Sequence, residues 1–322
     1  MSADERPLVS IVIPCHNEEH SLPMLRERLT RLWDTRAEVD WECVLVDDGS
    51  DDSTLGLLRE WQAIEPRVSV ISLSRNFGHQ SALCAGTDNA LGDAVVTMDA
   101  DLQDPPEVVP ALINKWLEGN DVVCARRVSR EGETAFKRLT ARAFYRVLRV
   151  LSDTDIPADV GDFRLLSRRA LEALGSLPES SRFLRGLVGW IGFKQATVEY
   201  RRSRRAAGGT KYPLPRMVSL AIDGVTSFST APLRFISYLG VASMALGFAV
   251  AIWAAWARFA NPAVERGWAS LMVAVCVLQG VNLLCIGIVG EYLGRVLLEA
   301  KRRPLYVIRD VYRSGVRAEE RA

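Results

Sequence analysis

The sequence predicts an α/β domain with a mostly parallel sheet, followed by two apolar helices. Three observations carry that prediction. Short β-branched runs alternate with amphipathic stretches of 10–15 residues through the first 125 positions, which is the pattern of a sheet covered on both faces. Nearly every predicted strand ends in a polar cluster, where ligands bind in such sheets. Two later runs, Phe235 to Ala257 and Trp268 to Gly290, are each 23 residues long without a charge. At ~1.5 Å per residue each reaches about 34 Å as a helix, enough for a ~30 Å hydrocarbon core.

The strands come in order. Val9–Ile13 ends at Pro14, and residues 40–46 end at Asp47-Asp48-Gly49-Ser50. Val68–Leu73 leads to Arg75-Asn76, residues 94–98 end at Asp99-Ala100-Asp101, and residues 121–125 form a fifth strand. Helices are expected over 21–33, 53–63, 79–91 and 106–118. Asp104 precedes Pro105-Pro106 and is read as a helix cap. No GxGxxG and no GxxxxGK[ST] occurs, so neither a dinucleotide fingerprint nor a P-loop is supported.

Charge is divided along the chain. The net of +1 over 322 residues hides −14 in residues 1–125, +11 in 126–216 and +4 in 217–322. Residues 134–151 place five basic side chains around an apolar stripe, the mark of an interfacial membrane helix. Arg201, Arg202, Arg204, Arg205 and Lys211 form a second basic cluster. No nucleic-acid reading motif accompanies it, so its expected partner is phosphate and not nucleic acid. The six cysteines form no CxxC pair and read as buried, reduced thiols. The N-terminus shows no basic and apolar pattern of a secretory signal. Arg234 before the first apolar run and Arg295, Lys301, Arg302 and Arg303 after the second place the front domain and tail on the cytoplasmic side. Gln279 and Asn282, inside the second run, are expected to hydrogen-bond between helices or subunits. The expected divisions are a cytoplasmic domain over 1–215, a juxtamembrane segment over 216–234, spans at 235–257 and 268–290, and a cytoplasmic tail over 291–322.

Four segments, VSIVIPCHNEE, VLVDDGSDDST, SRNFGHQSAL and DADLQDPPE, follow successive strands in this order. Together with Val160–Leu166, Arg182–Trp190, Arg205–Tyr212 and the apolar tail, they resemble the family 2 inverting glycosyltransferases of fold type A. More narrowly they resemble the polyprenyl-phosphate glycosyltransferases, including dolichol-phosphate mannose synthases and bactoprenol glucosyltransferases. The resemblance spans roughly residues 8–300.

That resemblance implies the chemistry. Pro14, His16, Asn17, Glu18, Asp47, Asp48, Asp99, Ala100 and Gln103 would bind the nucleotide sugar. His16 departs from the tyrosine that related chains often carry. Asp99, Asp101 and Gln103 would hold Mg²⁺ or Mn²⁺ on the donor diphosphate. Asp101 and Asp162 would be the catalytic carboxylates, Asp162 on the acceptor side. Arg126, Arg138, Arg205 and Lys211 would receive the phosphates of donor and lipid acceptor. The expected product is a lipid-phosphate-linked sugar made from polyprenyl phosphate, with UDP-glucose as first donor and GDP-mannose as second. The implied enzyme is a metal-dependent inverting hexosyltransferase, a multi-pass protein of the inner (plasma) membrane. By analogy it is a homo-oligomer, a tetramer. A processive polysaccharide synthase is disfavoured because Q-x-x-R-W is absent. A non-catalytic membrane scaffold is disfavoured by the retained acidic and basic motif residues.

Overall fold

The computed structural model describes residues 6–36, 38–127, 160–177, 179, 184–201, 231–260 and 268–313. The expected interfacial helix at 134–151, and Arg138, Arg205 and Lys211 with it, lie outside the described residues.

The strands are β1 (Leu8–Cys15), β2 (Asp40–Asp47), β3 (Val68–Leu73), β4 (Ala94–Thr97), β5 (Val122–Arg127), β6 (Val160–Ser167), β7 (Gln195–Tyr200) and β8 (Ile308–Tyr312). The described helices are α1 (Leu22–Thr35), α2 (Thr54–Ile64), α3 (His79–Asn89), α4 (Val109–Leu117), α5 (Arg168–Gly175), α6 (Leu184–Trp190), α7 (Ala231–Ala260) and α8 (Trp268–Ala300). All eight strands form one sheet in the order β7-β5-β6-β4-β1-β2-β3-β8. β1 pairs in parallel with β2 and β4, β2 with β3, and β5 with β7. β6 is antiparallel to both β4 and β5, and β8 is antiparallel to β3.

Every residue of β1 and β3 is buried, as expected of strands covered on both faces. Side chains alternate across the sheet. Val9, Ile11 and Ile13 pack with Leu25, Leu29, Leu58 and Leu112 from α1, α2 and α4. Val12, Val44, Val46 and Ile71 pack with Ala82, Leu83 and Ala85 of α3 on the opposite face. The small residues of α3 have a steric cause. A Cβ at Gly86 would stand 2.2 Å from a methyl of Val12 and 3.1 Å from one of Val46, so a larger residue would push the helix off the sheet. Burying each large apolar side chain of these layers contributes about 1.5–3 kcal/mol.

Three strands, β6, β7 and β8, were not foreseen; β7 pairs in parallel with β5. β6 enters between β4 and β5 and carries residues 160–167 into the sheet. β8 belongs to what was expected to be a plain tail. It covers the edge of β3, with Val70 opposite Tyr312 and Ser72 opposite Asp310. An open β3 would present unpaired backbone groups, and β8 removes that edge.

Asp104 is not a helix cap. The short 3₁₀ turn Pro106–Val108 has Pro105 at its N-cap and no side-chain cap bond. Asp104 is instead buried, accepts the hydroxyl of Tyr200 and lies 3.7 Å from the Arg127 guanidinium. The cysteines at 15, 43, 84 and 124 are buried free thiols, and burial raises the pKa values of Cys15, Cys43 and Cys124.

The chain divides into two compact units. The sheet unit includes β8, and the second includes α7 and α8. α7 and α8 run 30 and 33 residues and contact one another. Large apolar side chains such as Phe248, Trp256, Leu283 and Ile286 are exposed along them. Among the described residues, one segment is long and apolar enough to cross a membrane, Val277–Ala300 in α8, which overlaps the expected 268–290. Among the described residues of α7, the apolar stretch is Phe235–Val250, by itself shorter than a span. The multi-pass expectation is not supported at this level.

Candidate active site

The sheet reverses its winding direction beside β1: β2 and β3 extend one way, β4 the other. The crevice above the carboxyl ends of β1, β2 and β4 is the favoured ligand position in such a sheet. Most of the acidic motif residues gather there.

On one side, Asp47 ends β2 and Asp48 follows it, both buried. Asp48 accepts the backbone N–H groups of Phe77 at 2.7 Å and Gly78 at 2.9 Å. It thereby fastens the β3–α3 loop, in which Gly78 has φ +95°. Gly49 has φ +60°, and a Cβ there would lie 2.5 Å from the Arg75 carbonyl carbon and the Asn76 nitrogen. Only glycine lets the two loops approach so closely. His16 joins them: its Nδ1 is 3.0 Å from the Asp48 carbonyl and its Nε2 is 2.9 Å from the Asn76 amide. A carbonyl only accepts, so Nδ1 carries the proton and Nε2 accepts from Asn76. Pro14 sits opposite Val46 near the end of β1. Asn17, at φ 56°, accepts the N–H of Asp51 at 2.9 Å, and the Glu18 N–H reaches Thr54 Oγ1 at 2.9 Å. The β1 and β2 loops are thus one hydrogen-bonded unit.

On the other side, Asp99-Ala100-Asp101 follows β4. Asp101 is nearly buried and accepts the backbone N–H of Gln103 at 3.1 Å across Leu102, whose φ is +58°. Asp162 on β6 is buried. Its Oδ1 is 3.4 Å from Arg164 Nη2, and its Oδ2 accepts Gln80 Nε2 at 3.2 Å. Arg164 also donates to the Gly161 carbonyl at 2.8 Å. Gln80 Oε1 is buried and, among the described residues, has no hydrogen-bond partner. His79 Nε2 stands 3.5 Å from carboxylate oxygens of both Asp99 and Asp162.

Burial pushes the Asp99 carboxyl up to about 6; His79 opposes the rise, and Asp104, Asp162 and Asp101 add to it. Its side chain keeps 32% of its exposure and so opens onto the crevice. Among the described residues, no group of three or more His, Cys, Asp or Glu side chains is arranged to hold a metal ion. Two neighbouring carboxylates still fit a hard divalent ion of the kind that completes its shell with water and substrate phosphates.

The structure therefore brings Pro14, His16, Asn17, Glu18, Asp47, Asp48, Asp99, Ala100, Asp101, Gln103 and Asp162 to one edge of the sheet. Arg126 does not join the described cluster around Asp99 and Asp162; it is exposed and pairs with Glu199 of β7. Its neighbour Arg127 turns inward, donating to Tyr200 Oη at 3.1 Å beside Asp104. Sequence reasoning also missed His79, Gln80 and Arg164. His79 and Gln80 lay inside a motif it had singled out, and a histidine directly after a loop glycine at a helix start was the available signal.

A mostly parallel α/β sheet with these strand-end motifs is like that of the type A glycosyltransferases. Residues 10–175, just over half the chain, match the family Glycosyl transferase family 2, and the chain belongs to that family. Residues 231–296 match the GtrB C-terminal hairpin. The chain is 46% identical over 303 residues to the uncharacterized glycosyltransferase YkcC of Bacillus subtilis (strain 168), covering 94% of both chains. It is 39% identical to the prophage bactoprenol glucosyl transferase homolog of Escherichia coli (strain K12), covering 94% of this chain and 99% of that one. It is 40% identical to the bactoprenol glucosyl transferase of Shigella phage SfII, covering 95% and 99%. Mannosyl-3-phosphoglycerate synthase from Rubrobacter xylanophilus shares the fold, at 19% identity and a TM-score of 0.50, covering 73% of this chain and 75% of that one.

Proposed function

We propose that the protein transfers glucose from UDP-glucose to a polyprenyl phosphate with inversion, at the membrane surface. The observation that carries this reading is likeness over 94–95% of the chain to proteins named bactoprenol glucosyl transferase, hairpin included. GDP-mannose stands second as donor.

Pro14, His16, Asn17, Glu18, Asp47 and Asp48 receive the nucleoside, on loops already tied together by hydrogen bonds. Asp99 and Asp101, with Gln103 beside them, would hold Mg²⁺ or Mn²⁺, which as a Lewis acid stabilises the charge of the departing nucleoside diphosphate. The lipid phosphate oxygen attacks the anomeric carbon, the bond to the diphosphate oxygen breaks with its electron pair, and the linkage inverts. That nucleophile is already anionic at neutral pH and hardly needs a general base. Asp162 therefore acts as an orienting residue, its carboxylate held by Arg164 and Gln80. Arg138, Arg205 and Lys211 supply cations for the two phosphates. The exposed apolar faces of α7 and α8 and the match to a hairpin family support both helices entering the bilayer. Tetrameric assembly stays part of this proposal.

Radiolabelled transfer to undecaprenyl phosphate tests the reading, run with UDP-glucose and GDP-mannose, with and without EDTA. Lipid-linked product from UDP-glucose that disappears with EDTA is expected. No lipid-linked product from any nucleotide sugar would favour a scaffold. For Asp162, the chemical step should be flat across the range in which that carboxyl titrates; a limb that vanishes in Asp162→Asn with substrate binding intact would make it a general base.

A further inference from the structure

Asp47 is 1% exposed, and so its carboxylate depends on protein partners. Oδ1 accepts the Ser50 backbone N–H at 3.2 Å, and Oδ2 faces the Ser72 hydroxyl at 3.4 Å. Ser72 is fully buried in β3. A hydroxyl has one proton and two lone pairs. With its proton turned to Asp47, Ser72 accepts from Arg309 Nη2 at 2.8 Å. The guanidinium therefore lies one hydroxyl away from the buried carboxylate. The direction of donation, Arg309 to Ser72 to Asp47, is set by the fact that guanidinium only donates and carboxylate only accepts.

Arg309 lies in β8, separated from the end of α8 by the residues 301–308. The segment around it is held at several points. Ser74 N–H donates to the Val307 carbonyl at 2.9 Å, and Tyr306 Oη donates to Asp88 at 3.0 Å. The Arg59 guanidinium stacks 4.8 Å from the Tyr312 ring centroid, and Arg313 donates to the Asn89 carbonyl at 3.1 Å. Fastened on both sides, Arg309 has a defined place at the floor of the β2–β3 edge.

We propose that Arg309, acting through Ser72, is a positioning residue for the donor site, so that nucleotide binding depends on the strand that follows the apolar helices. This rests on the reading of Asp47 as a nucleoside ligand. A relayed hydrogen-bond chain in a low-dielectric interior fixes the carboxylate's rotamer more firmly than a lone serine would, and a binding group must be held within about 0.5 Å to be effective. The donor site is then built from both ends of the chain.

The test uses the full-length protein in nanodiscs, titrated calorimetrically with UDP and with GDP in the presence of Mn²⁺, alongside steady-state transfer kinetics. Arg309→Ala is expected to weaken the nucleotide that the wild type binds by about tenfold, equivalent to about 1.4 kcal/mol. Donor KM should rise by the same factor, with kcat within about twofold, the pattern of lost ground-state binding. Ser72→Ala should reproduce the loss, and the double variant should lose no more than the larger single one, because both cut one relay. Arg309→Lys should recover most of the affinity. Tyr306→Phe cuts another anchor of the same segment without touching Ser72, and should leave affinity unchanged. Wild-type affinity in Arg309→Ala overturns the inference, as does an equal loss in Tyr306→Phe or losses that multiply in the double variant. If Arg309→Ala does not fold, Ser72→Ala and Arg309→Lys decide by the same criteria. A wild type that binds neither UDP nor GDP overturns the donor-site reading itself.

Discussion

His79 Nε2 lies 3.5 Å from a carboxylate oxygen of Asp99, and it is equally far from Asp162. One imidazole thus stands between the carboxylate assigned to the donor side and the one assigned to the acceptor side. Its removal frees both to shift. His79→Ala should lower kcat/KM for transfer by on the order of tenfold or more, since small misplacements of reacting groups cost that much. His79→Gln, which keeps a polar group, should recover part of it. Unchanged kinetics in His79→Ala would show that the bridge has no role in turnover.

Asp99 gives a pH prediction. Its carboxyl is pushed up to about 6, where an ordinary aspartate titrates near 4. Between those values the folded, metal-free chain holds a proton that the unfolded chain has released. The stability from that proton is full below about pH 4 and is lost as the pH rises through 6. On the proposed metal assignment, a divalent ion at Asp99 and Asp101 would replace the proton. Millimolar Mn²⁺ should raise Tm clearly at pH 7.5 and much less at pH 5.0, and Asp99→Asn should abolish the difference. Equal increments at both pH values would contradict the assignment.

Asp48 fastens one loop with two backbone hydrogen bonds. Asp48→Ala leaves two part-buried N–H groups without their acceptor. Each bond to a charged group is worth about 1.5–3 kcal/mol. Chemical denaturation should show a loss of about 3 kcal/mol, with nucleotide binding weakened as well. A loss under about 1 kcal/mol would mean that water replaces the carboxylate.

Neighbouring arginines should behave differently. Arg126 and Glu199 are both about half exposed, so Arg126→Ala should change stability by less than about 1 kcal/mol. Arg127 sits beside the buried Asp104 and Tyr200. Removing one partner of a buried ion pair typically costs about 3–5 kcal/mol, so Arg127→Ala should destabilise far more than Arg126→Ala. Comparable unfolding midpoints for the two variants would refute this.

Much of the sheet was legible because its signals are local. The apolar runs at 9–13, 40–46, 68–73, 94–98 and 121–125 all became strands, and the β1, β2 and β4 motif residues came out at their carboxyl ends. Asp104 was misread because Pro105-Pro106 is a genuine helix-start signal, and nothing nearby in sequence announces Tyr200, 96 positions away. Arg126 and Arg127 look alike in sequence, and their opposite surroundings follow from the strands beside them.

Sequence by itself determined the class of sheet, the clustering of acidic residues at strand ends and the apolar character of residues 235–257 and 268–290. Those features depend on periodicity and composition, which each segment carries alone. Tertiary structure decided the insertion of β6, the return of β8 to the β3 edge, the His79 bridge between Asp99 and Asp162, and the line from Arg309 through Ser72 to Asp47. Each of these joins residues far apart in the chain, and the choice of neighbour is made by packing and hydrogen-bond satisfaction of the whole sheet, which no local pattern encodes.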